Sequence, residues 1–370
     1  MMKVLVDGAE APLDRAASAA AHLLEQARLP LIAGLGADVE GTRAAVALAE
    51  RLHGAYDHMS SEFALRDLDV MRQAGQFFGT PNEVRVRADC VLMIGGKLTT
   101  AWPDMLERLD LGKPARFDDL QKPRKIFWIG PGRGEAAAAG ATEIAAASAE
   151  VPGLLAALRA KVAGHKIRPD ATIERKLAGV AEDLKAARFG AIIWSAETVG
   201  RLTIEMIHGL LLDLNKTTRF TGLPIAAAGN AQGVVQTSGW MTGFPMRTGF
   251  GRGYPEHDTW RFEANRLVES GEADVALWIS SYKTEPPPWN RRVPFIAIAT
   301  PNTRFPYPPK VQIDVGTPGI DHNSVEFEQN LRTFTAIEAR QASDALQVAD
   351  VLRLIDSNLD QTLMKGTEAC

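Results

Sequence analysis

A pair of glycines after the first clear strand gives the most familiar chemical signal in the sequence. The run GLGADV at 34–39 follows a short apolar segment and opens a helical pattern, as a dinucleotide-binding Gly-x-Gly-x-x-Gly fingerprint does. Val39 replaces the third glycine, and no clear strand ends in an acidic residue about 20 positions on, although Asp57 is near that distance. The pattern favours a tight strand-to-helix turn, and a nicotinamide-dependent oxidoreductase remains an alternative.

Cysteine and histidine, the residues that most often bind transition metals, do not occur at metal-binding spacings. The only two cysteines are Cys90, inside an apolar run, and Cys370, the last residue. None of the seven histidines is paired at i, i+4, and none neighbours a cysteine. We therefore expect no metal site and no disulfide framework, and we interpret Cys90 as an inert, buried thiol.

The segment from Gly229-Asn230 to Pro255 is the most unusual part of the chain. It combines glycine and tryptophan with Arg247, Arg252 and Tyr254. Residues 233–258 hold six glycines with little periodicity, so we predict a long loop, which in a compact domain is usually functional. Two interpretations stay open: a ligand or partner pocket, and a large structural loop.

Alternating strand and helix patterns must position these residues. The apolar runs predict the strands 29–34, 90–94, 125–129, 191–195, 224–228, 275–279, 295–299 and 311–315. The helical periodicities predict helices at 14–28, 39–52, 102–109, 154–162, 171–187, 199–214, 263–270 and 345–359.

This order of elements predicts an α/β fold with parallel sheets covered by helices on both faces. Two halves resemble each other, because each begins with a strand, a loop of small residues and a long helix, at 29–52 and at 191–214. We predict two doubly wound, Rossmann-like lobes. The first covers 1–185, the second covers 186–320 with the glycine-rich loop, and residues 321–370 return to the first lobe.

Composition and charge limit the classes of partner that the protein is expected to bind. The formal net charge is −4 and no basic run is concentrated, so we expect no nucleic acid partner. No apolar stretch approaches the roughly 20 residues of a membrane span, and the first ten residues lack a signal-peptide pattern. We therefore expect a cytoplasmic protein that does not enter a membrane.

Several sequence blocks, in this order, are similar to the B subunit of formylmethanofuran dehydrogenase, a member of the molybdopterin oxidoreductase superfamily. The resemblance runs from about Pro30 to Asn330 and implies that superfamily's scaffold. The blocks that carry it are RADCV (87–91), GNAQG (229–233), WMTGFP (240–245), RGYP (252–255) and GEADVAL (271–277).

The departures from this family concern its cofactor-binding residues. The cysteines of its iron–sulfur cluster are absent, and Glu62 and Phe63 stand near the position of its metal-binding cysteine. Its pterin-binding loops are altered to GGKL around Lys97 and to SSYK ending at Lys283. The resemblance therefore implies a chain without metal, pterin or other cofactor.

This pattern resembles the B subunits of formyltransferase/hydrolase complexes of methylotrophic bacteria. The resemblance implies a non-catalytic scaffold, held with an amidohydrolase-like, a formyltransferase and a β-helical subunit. Such complexes move a formyl group between a methanofuran-type carrier and tetrahydromethanopterin and release formate, in the oxidation of formaldehyde.

Two alternatives remain within the resemblance. One is an active molybdopterin or tungstopterin subunit with an unusual metal ligand such as Glu62. The other is a carrier-binding subunit, in which Lys97, Arg247, Arg252 and Lys283 attract an acidic methanofuran chain. The candidate vestigial cleft also includes Gly229 and Asn230, and by their size the side chains predicted to refill it are Phe63, Phe77, Phe78 and Trp240.

Overall fold

The computed structural model describes residues 2–117, 122–167 and 171–367, which form a mixed α/β protein. The chain divides into two compact units. Unit 1 contains residues 1–62, 228–327 and 334–370, and unit 2 contains residues 63–227 and 328–333. Cys370 lies outside the described residues. No described helix is both long and apolar enough to cross a membrane.

The helices of the described chain follow the predicted periodicities in most places. In chain order they are α1 (Leu13–Glu25), α2 (Val39–Arg51), α3 (Ser61–Ala74), α4 (Pro81–Arg87), α5 (Leu98–Ala101), α6 (Met105–Leu109), α7 (Glu135–Ala138), α8 (Val151–Val162), α9 (Ala171–Ala186), α10 (Arg201–Leu214), α11 (Ala231–Thr242), α12 (Ala264–Ser270) and α13 (Val348–Thr367).

The strands include all the predicted ones, with shifts of a few residues at their ends. In chain order they are β1 (Val4–Val6), β2 (Ala9–Glu10), β3 (Pro30–Gly36), β4 (Ala55–Tyr56), β5 (Cys90–Ile94), β6 (Lys125–Ile129), β7 (Thr142–Ile144), β8 (Gly190–Ser195), β9 (Phe220–Ile225), β10 (Thr248–Gly249), β11 (Glu256–His257), β12 (Val275–Ser280), β13 (Phe295–Ala299), β14 (Val311–Asp314), β15 (Ser324–Glu328) and β16 (Thr333–Ile337).

Unit 1 is built on a nine-stranded sheet in the order β11-β10-β4-β3-β12-β13-β14-β1-β2. The five strands from β4 to β14 run parallel, and the short outer strands are antiparallel. The central strands β3, β12 and β13 are buried along their whole length, as apolar runs of this kind require in a parallel sheet. Helix α13 packs against α1 and α2.

Unit 2 is built on a parallel five-stranded sheet in the order β7-β6-β5-β8-β9. Alternate residues of one strand enter different cores: Leu92 and Ile94 pack with α8, α9 and α10, whereas Val91 and Met93 pack with α4 and α6. Both faces of β5 are therefore buried, which explains why its sequence is an unbroken apolar run. Cys90 is buried in the first of these cores, and burial raises the pKa of its thiol beyond the physiological range.

The predicted boundary at residue 185 does not coincide with a division between the two sheets. Strand β3 pairs with β12, and β5 pairs with β8, so each sheet joins strands from both sides of residue 185. Strand β3, which opens the first of the two similar halves, lies in a sheet with β12, β13 and β14 of the second. Strand β8, which opens the second half, lies in a sheet with β5, β6 and β7 of the first. Local sequence cannot reveal such an exchange, because every strand of a parallel sheet carries the same apolar pattern.

The predicted loop at 233–258 also needs correction, since its first part is α11. Gly233 and Gly239 lower helix propensity, and they hid this helix from the periodicity. A Cβ at position 233 would lie 2.3 Å from the side-chain oxygen of Asn230, so the Asn230 side chain would have to move. The predicted helix at 102–109 is helical only at 105–109, as α6, and a separate short helix, α5, precedes it at 98–101.

Candidate functional site

The candidate site of unit 1 lies at the carboxyl ends of β3 and β12. Strand β3 leads through α2 to β4 on one side, while β12 is its neighbour on the other side. Connections that leave two adjacent parallel strands in opposite directions open a crevice, and ligands of open α/β sheets bind there. The loops around this crevice carry most of the candidate residues of unit 1.

The turn between β3 and α2 explains the glycine pair. Gly34 has a φ of +76°, and a Cβ there would lie 2.5 Å from the carbonyl oxygen of Ile279. The Asp38 carboxylate caps α2 by accepting a hydrogen bond of 2.9 Å from the Gly41 N–H. The glycine therefore serves the approach of two strands, and the helix N-terminus, which would bind a pyrophosphate, is capped by the chain's own carboxylate.

Asn230 ties the loop after β3 to a distant part of the chain. Gly229 and Asn230 both have left-handed backbones, with φ of 71° and 58°. The Asn230 amide nitrogen donates to the Ala37 carbonyl at 2.9 Å, and its oxygen accepts from the Phe327 N–H at 3.2 Å. With both ends of its amide engaged, Asn230 is a structural bridge across this edge of the unit.

His58 is buried with both ring nitrogens engaged. Nδ1 accepts a hydrogen bond from the Ser60 N–H at 2.9 Å, so the proton is on Nε2, which donates to the Gly229 carbonyl at 2.8 Å. Burial lowers the pKa of His58 to about 4, and the imidazole is neutral at physiological pH. No ring lone pair remains for a metal ion.

Asp57 and Arg247 form a buried ion pair beside His58. Arg247 Nε lies 3.5 Å from Asp57 Oδ2, and it donates to the Ser61 hydroxyl at 3.1 Å. The Asp57 carboxylate also accepts from the backbone N–H groups of His58 and Ala264. Burial raises the pKa of Asp57 to about 6, against the opposing effect of Arg247. Arg247 therefore holds three segments of unit 1 together, and its charge is already balanced.

The loop after β12 is fixed by hydrogen bonds to β3. Both the N–H and the hydroxyl of Ser281 donate to the Gly36 carbonyl, at 2.9 and 2.8 Å. Tyr282 follows with its hydroxyl buried, and this burial, together with the charges of Glu326 and Asp38, raises the pKa of the phenol far above the usual value. A phenol in this position stays protonated.

The other predicted cationic contacts of unit 1 are paired with neighbouring carboxylates. Lys283 Nζ lies 2.8 Å from Glu285, and Arg252 Nε donates to Glu256 at 2.9 Å. Both pairs are exposed at the lysine and arginine ends, so they contribute little to stability and are easily rearranged.

Lys97 lies in unit 2, at the carboxyl end of β5, where it begins α5 with a φ of +60°. Its N–H donates to Glu135 at 2.8 Å, and the same carboxylate accepts from the Gly132 N–H and from the N–H and hydroxyl of Thr99. Burial alone would raise the pKa of Glu135, but these hydrogen bonds lower it. A carboxylate of the chain itself thus accepts hydrogen bonds from the N–H groups of the loop that contains Lys97.

Unit 2 also contains the carboxylate of Asp67, on α3. Trp194 Nε1 donates to Asp67 Oδ1 at 2.8 Å, and Arg332 donates to the Pro224 carbonyl at 2.6 Å. Burial raises the pKa of Asp67 to about 6, while Trp194 and the charge of Arg332 oppose this effect. The cluster fixes α3 to the carboxyl end of the unit 2 sheet.

Glu62 and Phe63 do not fit the metal of the resembled family. Glu62 lies in the first turn of α3 with an exposed side chain. Phe63 packs against the core of unit 2 and stacks with Arg66, whose guanidinium carbon lies 5.4 Å from the ring centroid. Neither offers a thiolate, the ligand that suits molybdenum and tungsten there. Within residues 2–117, 122–167 and 171–367, no three His, Cys, Asp or Glu side chains are arranged to hold a metal ion.

The prediction that large side chains refill a cleft is wrong for three of its four residues. Phe77, Phe78 and Trp240 are exposed, and only Phe63 packs against a core. Size alone suggested them, and size does not determine on which side of an element a residue lies. Trp240 lies near the end of α11, where it contacts Phe334.

Sequence reasoning missed His58, Glu135 and Asp67 as structural members of these sites. Glu135 follows a Pro-Gly-x-Gly turn, the one local signal that a carboxylate could meet a row of free N–H groups. Asp67 is one of several charged residues on α3, so nothing in the sequence distinguishes it.

Comparison with known proteins assigns the chain to a family. It is 36% identical over 324 residues to the B subunit of the formyltransferase/hydrolase complex Fhc of Methylorubrum extorquens, covering 86% of each sequence. It is 29% identical to the B subunit of the tungsten-containing formylmethanofuran dehydrogenase 2 of Methanocaldococcus jannaschii. That second match covers 70% of this chain and 62% of the archaeal one. No protein-family model matches the chain.

The fold gives the same assignment. A crystal structure of the formyltransferase/hydrolase complex FhcABCD from Methylorubrum extorquens, in complex with methylofuran, contains a chain similar to this one with a TM-score of 0.87. The match has 33% identity and covers 97% of this chain and 99% of that chain. Since both sequence and fold agree over nearly the full length, the chain belongs to the family of formyltransferase/hydrolase complex B subunits.

Proposed function

We propose that this chain is the non-catalytic scaffold subunit of a formyltransferase/hydrolase complex in one-carbon metabolism. In that role it supports the transfer of a formyl group between a methanofuran-type carrier and tetrahydromethanopterin, and the release of formate. The match to one chain of the FhcABCD structure over nearly the full length of both chains carries this proposal.

The chemistry of the two sheet edges supports a role without catalysis. At the edge of unit 1, His58 and Asn230 use their hydrogen-bonding atoms on the chain's own backbone. At the edge of unit 2, Glu135 occupies the N–H groups of the loop around Lys97. Polar groups that are already satisfied hold the fold, and each would lose these bonds on taking up a pterin or a metal.

The finer parts of the proposal follow from the resemblance. We propose that the two sheets are the Rossmann-like lobes of the molybdopterin oxidoreductase scaffold. The partners are an amidohydrolase-like subunit, a formyltransferase subunit and a β-helical subunit, and the complex works in the cytoplasm. The scaffold persists in this proposal because its partners need its surface.

Co-expression with the other subunits from the same organism tests this function. We expect a stable hetero-oligomer that contains this chain and no molybdenum or tungsten by elemental analysis. The control is the same preparation from cells supplied with molybdate and tungstate, which gives a metal-binding chain every opportunity to load. Stoichiometric metal or pterin would establish the alternative of a redox enzyme with a ligand such as Glu62, and absence of assembly would refute the scaffold.

Carrier binding is a second candidate function, since the similar crystal structure contains methylofuran. Among the predicted contacts, Arg247 is neutralised by Asp57, whereas Lys97, Arg252 and Lys283 are more accessible. The double variant R252E/K283E should weaken binding of a methanofuran-type carrier to the assembled complex at least tenfold if these residues bind it. Unchanged binding, measured by calorimetry, would refute carrier binding by these residues and leave the scaffold role as the one proposed function.

A further inference from the structure

The surface of unit 1 carries large apolar side chains that nothing in the described chain covers. We call the following five residues the aromatic surface: Trp240, Met241, Phe244, Tyr254 and Trp260. Trp260 is 70% exposed, Trp240 63% and Tyr254 51%, and Met241 and Phe244 are each about two-fifths exposed. Single exposed apolar residues are common on protein surfaces, but five within 21 positions are not.

Hydrogen bonds and ring contacts hold these side chains in place. Trp240 packs on Phe334 with ring centroids 4.7 Å apart, and Phe244 stacks on His257 at 6.1 Å. The Phe244 carbonyl accepts from the hydroxyls of Ser238 and Thr242, which fixes the turn after α11. Because the residues are already ordered, a partner that covers them loses little conformational entropy.

Arginines flank the aromatic rings. The guanidinium of Arg266 lies 4.4 Å from the ring centroid of Trp260, and that of Arg252 lies 5.5 Å from that of Tyr254. Tryptophan, tyrosine, methionine and arginine are the residues enriched in protein interfaces, and tryptophan, tyrosine and arginine dominate their binding energy. The composition of the surface is therefore that of an interface centre.

The exposed area agrees with this interpretation. With about 200 Å² for each large side chain, the five residues expose roughly 500 Å² of apolar and aromatic surface. This summed area is more than half of the roughly 800 Å² that each partner of a stable complex buries.

We propose that the aromatic surface docks another subunit of the same complex, one that brings an apolar pocket bordered by carboxylates to meet Arg261. The Arg261 side chain is exposed, and its guanidinium carbon lies 5.1 Å from the ring centroid of Phe262. This inference depends on the proposed function and adds the place of contact to it. A different subunit fits better than a second copy of this chain, because this chain matches one chain of a hetero-oligomeric complex over its full length.

The test compares three variants, each co-expressed with the other subunits of the complex from the same organism. W240S and W260S remove the two most exposed tryptophans singly and together. The matched control is F117S, which removes an aromatic side chain of similar exposure, 66%, from unit 2. Circular dichroism and thermal unfolding of each variant establish that it folds, and W260S alone is the fallback because Trp260 is the most exposed of the five residues, at 70%.

We expect each tryptophan variant to raise the dissociation constant of the complex at least tenfold and the double variant at least a hundredfold, whereas F117S assembles like the wild type. Assembly of the folded double variant with wild-type affinity would overturn the inference while leaving the proposed function intact. If the wild-type chain fails to join any subunit, the proposed function itself is refuted, and the inference with it. A wild-type chain that dimerises through this surface, and loses only that dimer in the double variant, would also overturn the inference.

Discussion

Replacing Gly34 with alanine tests whether the glycine pair serves strand packing. The new Cβ would lie 2.5 Å from the Ile279 carbonyl oxygen and 3.0 Å from the Trp278 ring, so β3 or β12 must shift. Overpacking of this kind costs about 2 kcal/mol. The φ of +76° adds about 1 kcal/mol for a residue with a side chain. We expect Gly34→Ala to lower the free energy of unfolding by about 3 kcal/mol, the sum of these two costs.

Two controls separate the causes. Gly8 has a φ of +80° with nothing within 4 Å of the added Cβ, so Gly8→Ala measures the backbone cost alone, about 1 kcal/mol. Gly36 has an ordinary φ and faces the flexible end of Met59 at 3.1 Å, so Gly36→Ala should cost less than about 1 kcal/mol.

Urea unfolding monitored by tryptophan fluorescence gives these differences, because Trp278 lies at the site of the clash. An equal loss in Gly34→Ala and Gly8→Ala would refute the packing argument. Since the turn is explained by packing, NAD and NADP should leave the melting temperature unchanged, and a saturable stabilisation by either would restore the dinucleotide interpretation.

Three further predictions concern single polar residues. Asp67→Asn keeps an oxygen to accept from Trp194 but removes the buried charge. The pKa of Asp67 is raised from 3.8 to about 6 in the folded chain, so the wild type loses stability as pH rises between these values. Urea titrations at pH 4 and 7 measure how much the free energy of unfolding changes between these two pH values. This change should be smaller in the variant than in the wild type by up to about 3 kcal/mol. An identical change in both proteins would contradict the burial of that charge. Arg124→Lys should lower the melting temperature almost as much as Arg124→Ala. The guanidinium donates hydrogen bonds to several carbonyls around residues 84–88 and 113–114, and a single ammonium cannot reach all of them. Full retention of stability in Arg124→Lys would contradict this. Asn230→Gly should be less destabilising than Asn230→Ala by about 1 kcal/mol. Both variants lose the hydrogen bonds of the Asn230 side chain, but only glycine adopts a φ of 58° without strain. The reverse order of stability in calorimetric unfolding would refute a left-handed backbone at this position.

In the proposed scaffold role, the sheet edges must stay folded without a cofactor. In this chain the polar groups of those edges bond to one another: Glu135 to the loop around Lys97, and Asn230 to Ala37 and Phe327. Each such bond is worth only about 1 kcal/mol, but leaving the same buried groups unpaired would cost more. These bonds keep the edges ordered by contacts within the chain itself.

The sequence by itself determined the class of the fold and the family. Its apolar runs predict the central strands, since a strand buried on both faces must be apolar at every position. The absence of cysteines around Glu62 and Phe63 is a property of the chain's composition, and the ordered motif blocks already indicated the relatives that the comparisons identified.

Only the tertiary structure decided which strands share a sheet and which polar residues meet. The pairing of β3 with β12, and of β5 with β8, joins segments far apart in the chain, and parallel strands look alike in sequence. The same holds for Arg247, which looked like a free cation but lies against Asp57, 190 positions before it. It holds for Trp240 too, which size predicted to be inside and the fold places on the surface. Local sequence records what each residue prefers, whereas partners at long separation are set by the topology that brings them together.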